Sequence, residues 1–534
     1  MTIKEIFDFD GIHPRTDAAL LPDHGAQLAL NCTLWQGDLR PLAAPLQVVT
    51  PTAVEAGIRS IYRIGQDLPE TQYWLAWPAD VDVVRGLIAG DTSERTYYTG
   101  DGVPKVTNLE LATQGGTQYP VNAYTLGIPK PATAPTCAAS SADQPVETRV
   151  YVYTYVSAFG EEGIPSDPAK VDVSEDGTVS LSDLSAAPTG NFNIVSKRIY
   201  RSQQASDGSA IYLFVDEIAV ALATYDDTKS STDLGEEIST IGYDMPPETM
   251  AGLVALPNGI LAAFDGYDIL FCEPFLPYAW PQAYRLTADY PVVGLGVFGS
   301  SLVVCTKGYP YVITGVDPSS MSMERMDLAQ SCVSKRSIVS SDDGVVFASP
   351  DGLVFVGAGG AQIITQNHYT RKEWQALNPA SIDAYWTDGK YVAVYDGGGF
   401  ILDATDNGRL TTFDDTATAG YVDPVEDALY LCIDGNIMKF NAGADKTFSW
   451  RSKKFQYTGH VSPSFARVDA DAYPVTLDLY VDGALAYSVS VASERPFPLP
   501  VPGRRPREVE VALSGTRPIR YVGIADAVEE FPIG

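Results

Sequence analysis

One hairpin unit recurs five times between residues 250 and 445, and no other feature constrains the fold as much. Each copy is an apolar strand, a turn with Gly or Asp, and a second apolar strand: Gly259–Phe271, Ser301–Ile313, Gly344–Val356, Lys390–Leu402 and Ala428–Phe440. The turn glycines Gly266, Gly308, Gly352, Gly397 and Gly435 follow one another at 42, 44, 45 and 38 residues. A period near 40–45 residues with paired short strands is that of a four-stranded propeller blade. Such a sheet cannot bury both faces alone, so several must pack in a ring. Each hairpin is expected to supply two inner strands, with the polar stretches between hairpins supplying the outer pair. Stacked β-sandwich domains would instead repeat at roughly 90–100 residues.

A sixth blade is expected upstream, where Tyr73-Trp-Leu-Ala-Trp77 and Glu94-Arg-Thr-Tyr-Tyr-Thr-Gly-Asp-Gly102 again set apolar strands beside a Gly turn. It should lie next to the blade built from 418–445, because joining chain-distant strands removes open sheet edges. The texture changes at the Ala-, Thr-, Ser- and Pro-rich stretch 132–144. Beyond it, Arg149-Val-Tyr-Val-Tyr-Thr-Tyr-Val156, Lys197–Arg201 and Ile211–Val215 alternate polar and apolar residues, which reads as a fibronectin-III-like sandwich inserted in the ring. After Trp450 the repeat stops, and two period-two stretches follow, Val475–Gly483 and Glu508–Gly515. The expected architecture is therefore all-β. An N-terminal docking arm (1–45) leads to a first propeller blade region (46–128) and the inserted sandwich (130–240). The remaining blades (250–445) complete a six-bladed β-propeller, and a C-terminal β platform domain (446–534) ends the chain.

Composition narrows the function classes. Of the 534 residues 67 are acidic and 36 basic, a net charge of −31. That argues against a protein that grips nucleic acid through many phosphate contacts. The 45 % hydrophobic content excludes a disordered chain. Residues 451–534 nearly balance acids and bases, so the negative charge belongs almost wholly to the first 450. Cys32, Cys137, Cys272, Cys305, Cys332 and Cys432 are widely spaced, with no C-x-x-C pair. They read as reduced, buried thiols. The Asp- and Glu-containing N-terminus lacks the apolar core of a signal peptide, and no window reaches 18 uncharged apolar residues. Synthesis and assembly in a cytoplasm are expected.

Chemistry-bearing patterns are sparse. The four histidines, His13, His24, His368 and His460, show no zinc-binding spacing. There is no Gly-rich phosphate loop and no Gly-x-Ser-x-Gly elbow. Asp342, Asp343, Asp351, Asp388, Asp396, Asp414 and Asp415 are the available carboxylates for a glycosidase pair, but most fall at repeat turns, where Asp hydrogen-bonds its own backbone. Asp403-Ala-Thr-Asp-Asn-Gly408 has the flavour of a Ca²⁺ loop without the closing Glu. Pro502-Gly-Arg-Arg-Pro-Arg507 is a basic spot that reads as a surface loop. The reading assigns no catalytic residue, cofactor site or metal site, and no enzymatic activity.

Several N-terminal motifs then point one way: Asp10-Gly-Ile-His-Pro-Arg-Thr-Asp17, Leu20-Leu-Pro-Asp-His-Gly-Ala-Gln-Leu-Ala-Leu-Asn31 and Gln36-Gly-Asp-Leu-Arg-Pro41. They resemble the opening of the tail nozzle proteins (tail tubular protein B) of short-tailed bacteriophages, with Asp38–Pro41 a shortened form of their Gly-Leu-x-x-Arg-Pro. Gly252–Gly259, Glu273–Pro281, Cys332–Ile338 and Trp374–Pro379 look like virion-protein segments of the same kind. The resemblance implies a structural virion protein, a homohexameric ring at the tail tip lining the DNA ejection channel. Its partners would be its own copies, other tail proteins (an adaptor or tube above, fibres or a needle), viral DNA passing without tight binding, and the host cell surface. An acidic lumen suits that role, since Lys and Arg contacts would hold the DNA back. The competing expectation is a propeller enzyme or binding module acting on surface polysaccharide.

Overall fold

The structure, a computed structural model, describes residues 4–34, 36–51, 57–88, 90–142, 146–175, 177–204, 210–403, 408–456, 463–500 and 507–531. The five repeated hairpins form as expected, and each supplies the second and third strands of a four-stranded antiparallel sheet. Their turns explain the Asp-Gly pairs. In the last hairpin Asp434 and Gly435 have φ of 49° and 77°, and in the turn that leads into the Lys390–Leu402 hairpin Asp388 and Gly389 have φ of 51° and 70°. Two successive positive φ values match the right-handed twist of the flanking strands, and Asp and Gly adopt them at low cost.

In chain order, blade 1 runs Asp82–Arg85, Thr96–Thr99, Lys105–Thr107, Tyr124–Thr125. Blades 2, 3, 4 and 5 begin at Ala251–Leu256, Val292–Phe298, Val339–Ser340 and Asp383–Thr387. Blade 6 takes three strands from Ala419–Asp423, Ala428–Ile433 and Asn436–Lys439, and its fourth from Leu46–Val49 near the other end of the chain.

Alternation along each central strand explains how the sheets stack. In blade 2, Ile260 and Ala262 face blade 3 through Leu302 and Val304, while Leu261 and Ala263 face blade 1 through Tyr97 and Val106. The same two-sided packing joins blade 3 to 4 (Cys305 with Phe347), 4 to 5 (Val346 with Phe400) and 5 to 6 (Val392 with Leu431). Between blade 6 and blade 1 stands a lone hairpin, Ser60–Arg63 with Trp74–Trp77. Its Ile61 and Trp74 meet Tyr430 of blade 6, and its Tyr62 and Trp77 meet Tyr98 of blade 1. The circle of apolar interfaces is complete. The fold is a β-propeller.

Among the described residues the ring therefore has seven positions, six filled by four-stranded sheets and the seventh by two strands. Tyr73–Trp77 and Glu94–Gly102, expected from the sequence to share one upstream blade, belong to different positions. The structure separates them, because a strand apolar on both faces needs a neighbour on each side.

The segment from Leu126 to Met250 leaves the last strand of blade 1 and returns to the first strand of blade 2. It holds a three-stranded sheet (Thr136–Ala139, Val179–Ser182, Tyr225–Asp227) against a four-stranded one (Ala169–Ser174, Val146–Ser157, Ile194–Gln204, Ala210–Ala219). Tyr151, Tyr153, Tyr155, Ile199 and Val215 fill the core of this sandwich. Tyr151 donates to Asp227, which also pairs with the buried Arg201 at 2.8 Å.

A second sandwich closes the chain and takes two strands from its beginning. One sheet runs Ala26–Leu30, Phe448–Ser452, Glu508–Gly515, Val475–Val481, Ala484–Val491; the other runs Lys4–Ile6, Ile519–Ala525, Phe465–Ala470, Phe497–Pro498. The first sheet continues into blade 5, where Leu30 pairs in parallel with Thr412. The N-terminal segment is thus threaded through the C-terminal sandwich and the propeller rim.

Candidate functional site

The first strands of adjacent blades lie side by side around the propeller axis. Loops leading into five of them, counting the hairpin, converge at one mouth. They bring Arg59, Asp80, Ser334, Arg336, Asp383 and Thr418 around a cavity of about 700 Å³. A smaller cavity of about 250 Å³ lies among the first strands, bounded by Asp82, Gly252, Leu295, Ser340 and Tyr385. Lys335 and Arg336 line both cavities, from a short 3₁₀ turn ahead of blade 4.

These two cations hold the axis together. Lys335 Nζ lies 2.6 Å from Asp82 and 3.2 Å from Asp80, and Arg336 is 3.1 Å from Asp80. Arg336 also donates to the Ser60 hydroxyl at 2.6 Å, and the Gly252 amide donates to Asp82 at 3.0 Å. One network therefore ties the hairpin and blades 1, 2 and 4 across the axis. Burial still pushes the Asp82 carboxyl above its ordinary value, against the pull of Lys335. Asp383, on the first strand of blade 5, has its pKa pushed up to about 6 by burial, with Arg336 opposing and Asp80 reinforcing. Tyr385 is likewise raised by burial, then by Asp383. The site offers fixed positive charge, a carboxyl that titrates near neutrality and a buried phenol. That combination suits a polar ligand able to share a proton with Asp383.

No protein-family model matches the chain, and no curated protein is similar to it in sequence. Among solved structures, the chain is similar to BBS1N in its complex with ARL6DN, soaked with lead, at 10 % identity over 74 % of this chain and 96 % of that one, with a TM-score of 0.29. It is similar to BamB from Moraxella catarrhalis at 12 % identity over 72 % and 96 %, with a TM-score of 0.26. For AztD from Citrobacter koseri the values are 13 %, 69 %, 98 % and 0.25. The propeller assignment rests on the sheet order and the closed circle of packing described above.

The carboxylates singled out in the sequence do not converge. Asp342 and Asp343 are exposed in one turn of blade 4. Asp351 accepts from Gln330 and pairs with Arg371; Asp388 pairs with Lys390; Asp414 and Asp415 share Lys446. Only Asp396, which accepts from Asn378 at 2.7 Å, reaches the axial cavity. Residues 404–407 of the Ca²⁺-like loop, residues 502–506 of the basic spot and His460 lie outside the described residues.

The histidines have no zinc-binding spacing in the sequence, yet three gather around Asp10. His13 Nε2 lies 3.2 Å from the Asp10 carboxylate and His24 Nε2 3.9 Å, while the His13 and His368 rings stack with centroids 5.1 Å apart. Arg409 reaches Asp8 at 2.7 Å from the propeller side. Burial opposes ionisation of Asp10, but hydrogen bonds from His13 and the Gly11 amide outweigh it and hold the carboxyl below its ordinary value. Burial, helped by His13, holds His368 below its ordinary value. Neither ring nitrogen of His368 has a partner among the described residues. Also among the described residues, no group of three His, Cys, Asp or Glu side chains has the geometry to hold a metal ion. The cluster joins the N-terminal segment to the loop between blades 4 and 5. Sequence spacing carries no signal for it, since the fold alone brings His13 to His368.

Proposed function

We propose that this chain is a structural virion protein, a subunit of the tail nozzle of a short-tailed bacteriophage, and that six copies form a ring around the path of the ejected DNA. The supporting observation is the course of residues 10–41, which carry the resemblance. Their strands pair with Phe448–Ser452 of the C-terminal sandwich and with Leu410–Phe413 of blade 5, tying propeller and sandwich into one body. A ring that passes DNA under pressure requires subunits of that kind. The net charge of −31 adds support, because a wall of like sign lets DNA slide without being held. Other tail proteins and the host surface are the partners in this reading, with assembly in the host bacterial cytoplasm before the subunit reaches the virion tail. Electron microscopy of the recombinant protein and of antibody-labelled virions tests it. Six-fold rings and label at the tail tip are expected; monomers at high concentration and unlabelled virions would overturn it.

The axial cavity favours a second reading, a binding module or enzyme for surface polysaccharide. Calorimetric titration of host polysaccharide against the native chain and Asp383→Asn separates the two readings. Saturable binding that the variant loses supports the second.

A further inference from the structure

We infer that the seventh propeller position is a docking groove for an uncharged β-strand supplied by another polypeptide. Among the described residues, six positions hold four strands and the seventh holds two, Ser60–Arg63 and Trp74–Trp77. A groove of about 390 Å³ lies on the outer side of Trp74–Trp77, where the third strand stands in every other blade. Its walls are the neighbours that would flank such a strand. Val49, Thr50 and Pro51 come from the outer edge of blade 6, and Gln118 and Tyr119 from the segment leading to the outer strand of blade 1.

The backbone of this edge is aimed into the groove. Ile64 N–H donates to the Tyr73 carbonyl, which fixes the parity of the ladder. Tyr73, Leu75 and Trp77 therefore turn their peptide groups toward Ser60–Arg63, and Trp74 and Ala76 turn theirs away. The Ala76 amide is taken by the Tyr119 carbonyl at 3.0 Å. The Trp74 amide has no backbone partner among the described residues, although Trp74 is only 4 % exposed. A buried strand amide calls for a partner, and an added strand supplies one by β-augmentation.

The lining also selects the chemistry of the guest. Thr71, Gln72, Tyr73, Trp74 and the flanking residues carry no charge, in a chain with 103 charged side chains (67 acidic and 36 basic). A charged segment would lose its hydration here without a counter-ion, whereas an uncharged strand pairs its backbone and lays small or aromatic side chains on Trp74. The chain holds a template for such a guest in its own blade 4, whose outer hairpin Gly352–Ile364 contains no charged residue and occupies the equivalent place.

The test uses the full chain and a soluble-tagged synthetic peptide of sequence 352–364. Saturable binding is expected, with slowed hydrogen exchange at the Trp74 amide. Methylating alternate backbone nitrogens of the peptide should weaken binding at least tenfold, and Thr71→Glu should do the same while leaving the thermal melt unchanged. Failure of the peptide to bind, or binding indifferent to N-methylation, overturns the proposal. So does a Trp74 amide already as slow to exchange in the free chain as the ladder amides. Binding of a neutral oligosaccharide in place of the peptide also overturns it, because sugar recognition by the aromatic floor needs no strand edge.

Discussion

Phe9 meets Trp450 edge to face, with ring centroids 5.0 Å apart, and the Trp450 indole N–H donates to the carbonyl of Asp10 at 3.1 Å. Both rings are fully buried. Phe9 and Asp10 thus anchor the strand that links the last blade to the C-terminal sandwich. Phe9→Ala removes a ring from a packed interior, and such truncations cost about 3–5 kcal/mol. Chemical denaturation should show that loss, with the C-terminal sandwich becoming protease-sensitive before the propeller.

Arg63 and Asp423 form an ion pair at the joint between the seventh position and blade 6, each at most 1 % exposed. Arg63 also donates to the carbonyls of Gln66 and Leu68. Removing one partner leaves a buried charge alone, a loss on the order of 3–5 kcal/mol. Arg63→Met should therefore lower the denaturation midpoint sharply, and adding Asp423→Leu should recover much of the loss. A single variant as stable as the parent would contradict this account of ring closure.

The histidine cluster predicts an acid-sensitive joint. His368 binds its proton less readily folded than unfolded, so protonation favours the unfolded chain. Its contribution is complete above the unfolded value of about 6.5 and declines as pH falls below it. The neighbouring charges, Asp8, Asp10, His13, Arg15, His24 and Arg409, remain in every variant tested. Urea midpoints measured from pH 8 to pH 5 should fall for the parent chain and less steeply for His368→Phe. Acid loss from Asp10, whose folded value is depressed, belongs to a lower window near pH 4.

Asp383 predicts the opposite sign. Its folded value of about 6 lies above the ordinary aspartate value of 3.8, so the folded chain holds the proton more tightly. No penalty exists below pH 3.8. It grows as pH rises through about 6 and is complete above, on the order of 3 kcal/mol by the usual conversion. Asp383→Asn should be more stable than the parent at pH 8 and equal to it near pH 3.5. Equal stability at pH 8 would show that solvent screens this carboxyl.

All six cysteines are free, five of them buried, with Cys272, Cys305 and Cys432 in blades 2, 3 and 6. Burial raises the Cys305 thiol, reinforced by its neighbour Cys332, which keeps Cys305 unreactive in the folded state. Thiol titration after unfolding without reductant should find six groups, and titration of the folded chain should find at most one, Cys137.

The five repeated hairpins were readable in the sequence because each has two apolar strands around a glycine turn at a steady period. The seventh position was not. Its strands are four residues each, and the connection 64–73 has no short turn signature. The axial network escaped for another reason. Lys335, Arg336, Asp80 and Asp82 sit at strand entrances, where charged residues ordinarily face water, and only ring closure brings blade 4 opposite blade 1.

The parallel pairing of Leu30 with Thr412 has a mechanical consequence. Blade 5 and the C-terminal sandwich share one sheet, so no flexible joint separates them. A pull along these strands is resisted by several hydrogen bonds strained together in shear rather than opened one by one. Force applied at the sandwich reaches the propeller axis through Asp383–Thr387, and the two bodies turn as a single lever.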